Sequence, residues 1–261
     1  MKKRWAVLGA AVGLAATAGA QAPPHFDARL RAERTLEVRE HSALERGRWE
    51  VGVVAAYEDQ DAAAAELFTV TPYARHGLTR NLRVRLDVPV AYRDREIGGE
   101  VAGPGDLRLG AELLVHEDSF RFPYVLPYLS VSFPTGSSGD GLGLGDAATD
   151  LGIALGTTRW RDWHFRLDAR YALRFGDLDN IASVGGALIW DVNPQFAVLA
   201  EGRISQGDVD DTGTPKVALG GMVYRPSPRW SLSVHGGMEF DGTREALAAV
   251  RVAYRLPGVG R

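Results

Sequence analysis

The chain contains no cysteine, so disulfide bonds and thiolate metal sites are excluded from it. Beyond its first residues it has no run of about eighteen consecutive apolar residues, which excludes a bundle of membrane-spanning helices. Its formal net charge of −3 is too small to suggest a nucleic-acid partner. Stability must therefore come from hydrogen-bonded structure and burial, and any membrane span must consist of strands.

The first residues have the pattern of a cleaved secretory signal. Residues 2–4 are basic, residues 6–16 are apolar, and residues 18–20 form a small-residue cleavage site. We expect cleavage after Ala20. A retained membrane anchor is the alternative, which is disfavoured because no stop-transfer pattern follows. Cleavage removes three basic residues and no acid, so the net charge falls from −3 to about −6.

Period-two alternation of apolar and polar residues recurs along the rest of the chain. In LRVRLDVPVAYRD, residues 82–94, apolar and charged side chains occupy opposite parities. Successive side chains of a strand point to opposite faces, so one face is apolar and the other charged. Segments of about ten residues with this period are typical of transmembrane barrel strands. Clear examples span 49–57, 107–115, 163–175, 230–240 and 246–256, and weaker segments between them bring the expected total to about twelve strands.

The connections between these strands alternate in character. Every second one is long, acidic and glycine-rich, as in residues 58–66, 93–106 and 134–150, whereas those between are tight or basic, as in 191–195 and 225–229. Long outer loops and short periplasmic turns are typical of an outer-membrane barrel with both termini periplasmic. Aromatic residues near the proposed periplasmic turns support this orientation, because amphipathic rings prefer the membrane interface. They are Trp49, Trp160, Trp163, Trp190, Phe196, Tyr224, Trp230 and Tyr254.

The expected fold is all-β, a transmembrane antiparallel up-and-down β-barrel over residues 48–256. A strand of about ten residues tilted by about 40° climbs some 25 Å, the height of the apolar band of such barrels. We expect a signal peptide at 1–20, a mobile periplasmic leader at 21–47 and a C-terminal tail at 257–261, with a leader that plugs the lumen as the alternative. A soluble β-sandwich is the alternative fold, and it leaves the loop asymmetry unexplained.

Two prolines lie inside predicted strands. Pro89 and Pro127 each remove one donor from the hydrogen-bond ladder, because proline has no backbone N–H. We therefore expect bulges or register shifts beside them.

Several stretches resemble a bacterial outer-membrane barrel family, the MetA pathway of phenol degradation family. They are GRWEVGVVAAYE, GDLRLGAELLVHED, LGGMVYRPSPRWSLSVHGGMEF and the glycine-rich unit from Phe133 to Gly156. The resemblance covers about Gly47 to Tyr254 and implies a transporter-like barrel for small, often hydrophobic or aromatic compounds, without a catalytic motif. One departure is the PGVGR extension after Leu256, which displaces Tyr254, the candidate insertion signal, from the terminus.

About twelve strands predict a bore between that of side-chain-filled eight-stranded barrels and that of wide porins. We therefore expect a narrow passage for small molecules, either hydrophobic or aromatic compounds or small anions. Expected partners are outer-membrane lipid and lipopolysaccharide, a small-molecule solute and the barrel assembly machinery, with no nucleic acid, cofactor or metal. The alternatives are a lipid-modifying hydrolase at the barrel rim and a structural or adhesive barrel that acts through its acidic outer loops.

The charged parity of the strands supplies the residues expected to line the lumen. With Glu50 and Arg255 included, nine arginines oppose six acids, an excess that should favour anions in a narrow pore. Arg166 and Arg170 are where we expect this selection, although pairing that braces the wall is the alternative. The expected lumen-lining residues are Arg83, Arg85, Asp87, Arg108, Glu112, Arg166, Asp168, Arg170, Arg174, Glu201, Arg203, His235, Glu239 and Arg251.

Candidate catalytic residues are few. A hydrolase would need Ser, His and an acid gathered together. His235 is the only histidine expected in mid-strand, on the charged parity beside Ser231 and Ser233. A lumen-lining histidine is the favoured interpretation, because no spacing singles out a partner.

The loops offer weak signals for ligands. Residues 177–180 and 208–211 are acidic, but they lack the full calcium-loop pattern, so solvated acids are favoured. The glycine-rich segment from Pro134 has no lysine and no following helix for a phosphate site. We expect a flexible outer loop there, able to fold over the mouth of the barrel.

Overall fold

The computed structural model describes residues 46–60, 65–95, 99–117, 122–157, 162–176, 180–207, 214–240 and 246–257. The expected signal peptide, most of the leader and most of the C-terminal tail lie outside these residues. No helix in the described part is long and apolar enough to cross a membrane. The strands are β1 (Trp49–Gln60), β2 (Ala65–Gly77), β3 (Leu82–Asp87), β4 (Val90–Arg95), β5 (Gly99–Pro104), β6 (Leu107–Leu113), β7 (Tyr124–Phe133), β8 (Ala148–Gly156), β9 (Trp163–Arg174), β10 (Ile181–Asn193), β11 (Phe196–Gly207), β12 (Lys216–Ser227), β13 (Trp230–Phe240) and β14 (Ala246–Arg255).

The strands form one closed antiparallel sheet. It closes because β1 pairs with β2 on one side and with β14 on the other. Segments β3 and β4 continue in one register along β2, so they are two halves of a single barrel strand. Segments β5 and β6 form the next strand, pairing with β4 and β3 respectively. The fourteen segments therefore make the up-and-down barrel of twelve strands that the alternation predicted.

The two ends of the barrel differ in their connections. We call the end with the β2–β3, β6–β7, β8–β9, β10–β11 and β12–β13 links the turn end, and the other the loop end. Since β1 begins and β14 ends at the turn end, both ends of the barrel segment lie there.

The difference in link length between the two ends is smaller than the sequence predicted. Residues 58–66 and 93–106 were expected to be long loops, but strand pairing continues through them, and only 61–64 and 96–98 join the strands. Beyond the apolar band, the backbone groups of polar residues still form hydrogen bonds between strands. The strands therefore extend further than the alternation of apolar and polar residues. Residues 134–147 form the long link at the loop end.

Pro89 lies at an irregularity in the barrel wall, as predicted. Asp87 pairs with Arg108 and Val90 pairs with Pro104, so the register between these two strands changes by one residue across Pro89. The strand that faces Pro89 therefore carries an extra residue. A bulge accommodates a proline because the ladder is already interrupted there.

Pro127 lies opposite a second irregularity. Glu112 pairs with Tyr128, whereas the isolated bridge further along joins His116 to Val125. The register changes by one residue between these two pairs, so this predicted shift is also present. On its other side Pro127 pairs with β8 in an unbroken register.

The barrel has an apolar, exposed outer face. Outward side chains such as Leu86, Val90, Leu109, Leu188 and Met222 are between 39% and 52% exposed, while the inward parity carries buried charged groups. This is the inverse of a soluble β-sandwich, in which apolar faces pack against each other. Lipid is the environment that suits such a face.

Aromatic side chains gather on the outer face at the turn end. Trp163 and Trp190 pair across β9 and β10 and stack with ring centroids 5.6 Å apart. Trp230 and Tyr254 also pair, across β13 and β14, with their rings tilted by 42° and their centroids 4.7 Å apart. These positions agree with the predicted aromatic girdle, of which Trp160 lies outside the described residues.

Substitution of arginine for leucine at two positions of the same hairpin should distinguish lipid-facing from interfacial sites. Leu86→Arg places a charge in mid-strand on the outer face and should cost about 2 to 4 kcal/mol of unfolding free energy, whereas a charge near the interface costs about 1 or less. Leu78→Arg is the matched control, because Leu78 is similarly exposed but lies in the β2–β3 turn. Urea titration in lipid vesicles measures both, and equal losses would contradict a lipid-facing Leu86.

Candidate functional site

The inward face of the barrel concentrates ionisable side chains. The register places all fourteen residues expected to line the lumen on this one face. Arg108 is exposed, Arg85, Arg170, Arg174 and Glu239 are half-buried, and the other nine are buried. Buried charges are costly unless they are paired, so their partners determine what the lumen can do.

Glu50 links three strands at the turn end. It lies opposite Arg75 of β2 and Arg255 of β14 in the register. Its carboxylate oxygens lie 3.5 Å from Arg75 Nη1 and 3.1 Å from Arg255 Nε, and all three side chains are buried. One acid thus serves two arginines across the seam where the barrel closes.

Two further ion pairs lie on β3. Arg83 Nη1 is 3.7 Å from a carboxylate oxygen of Glu112 on β6, and Arg85 Nη2 is 2.7 Å from Asp87 Oδ1. The guanidinium of Arg85 also lies 4.4 Å from the ring centroid of Tyr73, a cation–π distance. This side of the lumen is therefore lined by arginines in contact with acids and with one aromatic ring.

Asp168 is the centre of a second network on the other side of the lumen. Its carboxylate accepts hydrogen bonds from the Tyr128 hydroxyl at 2.9 Å and from Arg203 Nη2 at 3.2 Å. Arg203 also donates to the Ser183 hydroxyl at 3.0 Å. These side chains come from β7, β9, β10 and β11, and all are buried, so the network ties four strands together across the interior.

Small residues beside β9 provide space for these large side chains. A Cβ on Gly152 would lie 2.3 Å from Tyr128 Cζ, and one on Gly156 would lie 2.7 Å from Arg166 Cδ. A larger residue at either position would push the tyrosine or the arginine out of place. Gly152 and Gly156 therefore belong to the lumen site, because they provide space for its side chains although they have no functional group of their own.

Arg166 is held against the wall of the barrel. It donates to the backbone carbonyls of Thr157 and Phe165, and its guanidinium lies 5.4 Å from the ring centroid of Tyr124. At 1% exposure, Arg166 has the contacts of a bracing residue. This arrangement favours the bracing alternative over charge selection at this position.

A histidine, an acid and an arginine meet near the turn end. His164 Nε2 lies 2.8 Å from Asp191 Oδ2, and Arg225 Nη2 lies 3.1 Å from Asp191 Oδ1. They belong to β9, β10 and β12, and all three are buried. These charge-assisted contacts link three strands inside the barrel at its turn end.

His235 has partners that its spacing in the sequence did not reveal. Its Nε2 lies 3.1 Å from the Ser233 hydroxyl, and its Nδ1 lies 3.3 Å from Glu201 Oε1, although the second contact lacks hydrogen-bond geometry. The order Ser, His, acid is that of a hydrolase. However, Ser233 and His235 are each 2% exposed, and β13 is paired on both sides, which leaves few backbone N–H groups for an oxyanion.

Several residues of these clusters were missed by the sequence reasoning. Arg75 and Tyr128 lie in weakly alternating segments, and Asp191 and Arg225 were assigned to turns. The strands extend further than expected, so the charged parity continues into those turns. If the alternation of inward and outward residues on β10 is continued two residues beyond Ile189, Asp191 falls on the inward face.

The link of residues 134–147 is held at the mouth of the barrel. Asp106 accepts hydrogen bonds from the backbone N–H of Gly136 at 3.0 Å and of Leu144 at 2.7 Å, and so joins the two arms of the link. Inward-facing Arg93 donates to the Gly141 carbonyl at 3.3 Å, and Leu142 is buried. These contacts fold the loop over the mouth, and its flexibility stays a prediction.

The acidic loops give no metal site in the described part of the chain. Among the described residues no group of three or more His, Asp or Glu side chains could hold a metal ion. Residues 208–211 lie outside the described residues. Of residues 177–180 only Asn180 is described, and its side-chain oxygen accepts a hydrogen bond from the backbone N–H of Arg174 at 3.0 Å.

A glycine-to-alanine pair tests the space that Tyr128 requires. Gly152→Ala should cost about 1 to 3 kcal/mol of unfolding free energy, because the added methyl would overlap the tyrosine ring. Gly220→Ala is the control, since its Cβ would meet nothing nearer than the Leu199 carbonyl at 4.0 Å. Urea midpoints in vesicles give both values. Adding Tyr128→Leu to Gly152→Ala should cost less than the sum of the single changes, and additivity would contradict the overlap.

The fold is shared with solved outer-membrane barrels. The COG4313 outer membrane channel from Pseudomonas putida F1 superposes with a TM-score of 0.65 at 15% identity, covering 84% of this chain and all of that one. The NanC porin and the KdgM porin superpose with TM-scores of 0.58 and 0.54, each at 12% identity. They cover 79% and 78% of this chain, and 100% and 98% of their own. At these identities the likeness shows the fold alone.

A comparison with curated proteins gives no significant match. A family model does match, over residues 42–256, which include every described strand. The match extends well beyond half of the chain. The chain therefore belongs to the MetA-pathway of phenol degradation family.

Proposed function

We propose that this protein forms a narrow passage for small molecules across a bacterial outer membrane. The observation that carries the proposal is the combination of a closed barrel, an exposed apolar outer face and an inward face of ionisable residues. Such a barrel separates a polar path from lipid. The aromatic pairs at the turn end support placing that end at the periplasmic interface. In this proposal lipopolysaccharide surrounds the loop end, and the barrel assembly machinery inserts the protein.

The solutes that we propose for this passage are small anions and small hydrophobic or aromatic compounds. Arginines outnumber acids on the inward face, and confined charges in a weakly screened pore attract counter-ions. The fourteen residues named above line the passage in this proposal, together with Arg75 and Glu50. The ion pairs among them both shape the path and set its charge.

A hydrolytic function is less well supported. The Ser233, His235 and Glu201 group has the right residue types, but its nucleophile is covered inside the barrel. Strand β13 is also paired on both sides, which leaves few backbone N–H groups to stabilise an oxyanion. An adhesive role through acidic loops is also less well supported, because strand pairing takes up much of the sequence that was expected to form those loops.

The passage can be tested by electrical recording on the purified barrel in planar bilayers. We expect single-channel conductance well below that of sixteen-stranded porins, because twelve strands enclose a smaller bore. In a KCl gradient the reversal potential should show anion preference, and the preference should grow as salt is lowered. A cation preference would contradict the proposed charge selection, and absence of any conductance would contradict the passage itself.

The loop over the mouth should limit the current. Asp106→Ala removes the acceptor for two backbone N–H groups of the 134–147 link and should raise the conductance or its fluctuations. Glu100→Ala is the control, since Glu100 is an exposed, outward-facing acid on β5. Identical single-channel traces for both variants would show that this loop does not obstruct the path.

A further inference from the structure

We propose that the lumen binds amphiphilic anions, molecules with an aliphatic body and a carboxylate head. This inference rests on the proposed passage and names the solute class that suits it. It follows from an unequal distribution of charge and apolar surface around the inside of the barrel.

One side of the lumen is an arginine wall. It spans the adjacent strands β14, β1, β2, β3 and β6. Its inward charges outside the loop end comprise six arginines and three acids. They are Arg75, Arg83, Arg85, Arg108, Arg251 and Arg255 against Glu50, Asp87 and Glu112.

The arginine wall includes a like-charge pair that the barrel would not need for stability. Arg75 and Arg85 lie directly opposite each other in the β2–β3 register. Like charges at facing positions destabilise a sheet. Glu50 and Asp87 relieve part of this repulsion, and a bound carboxylate would relieve more. The side chains thus gain an interaction when an anion enters.

The opposite side of the lumen is an aliphatic wall on β10, β11 and β12. Around the twelve-stranded barrel β10, β11 and β12 lie six, five and four strands from β2. Their inward charges balance, with Asp191 and Glu201 against Arg203 and Arg225. The remaining inward surface is largely apolar and buried, namely Ala187, Ile189, Ala197, Leu199, Val217, Leu219 and Val223.

The two walls together match a molecule with a charged head and an aliphatic body. Guanidinium groups bind carboxylates through paired, charge-assisted hydrogen bonds. Aliphatic side chains provide an apolar surface against which the methylene groups of a solute can be buried away from water. Because both walls are largely covered, a solute enters by displacing side chains and takes over contacts that the arginines make with acids.

Block of the chloride current through single barrels by four matched solutes tests this inference. Hexanoate has both the head and the body, acetate has the head alone, 1-hexanol the body alone, and hexylammonium the body with opposite charge. We expect hexanoate to reach half-block at a concentration about tenfold below any of the others, in keeping with the strength of charge-assisted hydrogen bonds.

Variants assign the two halves of the solute to the two walls. Arg85→Gln and Arg251→Gln should each raise the half-block concentration of hexanoate severalfold and leave that of 1-hexanol unchanged. Leu199→Ser should raise it for hexanoate and 1-hexanol and spare acetate. Arg80→Gln, an exposed arginine in the β2–β3 turn, and Leu188→Ser on the outer face are controls.

The outcomes separate this inference from the proposed passage. Each variant is first checked for folding by its shift on a gel before and after boiling in detergent. A barrel that conducts chloride but responds equally to hexanoate and 1-hexanol overturns the amphiphile site and leaves the passage standing. So does unchanged hexanoate block in both arginine variants, of which two are made in case one does not fold. A barrel that conducts nothing overturns the passage, and the inference with it.

Discussion

Closure of the backbone ladder is the constraint on which the rest of this barrel depends. Hydrocarbon offers no partner to a free N–H or C=O, so every strand in the membrane needs two neighbours. Here β1 supplies the last pairing by bonding to β14 as well as β2. Once the sheet is closed, side-chain parity decides everything else, because each residue must face either lipid or the interior. The buried salt bridges of Glu50 lie at this seam and link its three strands.

A closed barrel of twelve strands then has an interior to fill. Long side chains from one strand reach across small residues of the next, as Tyr128 reaches over Gly152 to Asp168. Since each such contact ties strands that are not neighbours in the ladder, the interior networks stiffen the cross-section that hydrogen bonding alone would leave deformable. The wall and the path are therefore built from the same residues.

The fold could be predicted from the sequence because the barrel repeats one simple rule. Residues 82–94 showed the alternation, and agreement among many segments gave about twelve strands. Pro89 and Pro127 indicated the irregularities, but the position of the extra residue on each facing strand needed the register. The site was harder to predict. Parity places Asp168 and Arg203 inside, yet nothing in the spacing pairs residues that lie 35 positions apart on strands that are not adjacent. The same holds for Glu201 and His235, which are separated by a whole strand.

Bracing and selection place opposite demands on the same arginines. A guanidinium that is fully engaged with the wall, like Arg166, stabilises the barrel but has little left to offer a solute. Arg75 and Arg85 instead face each other in the β2–β3 register, an arrangement of like charges that is unfavourable in a sheet unless anions balance it. Charges are balanced on β10 to β12, whereas positive charge is in excess across the seam, where Glu50 also links three strands. A solute that binds the arginines of the seam replaces contacts on that side of the lumen only. The network around Asp168 still links β7, β9, β10 and β11.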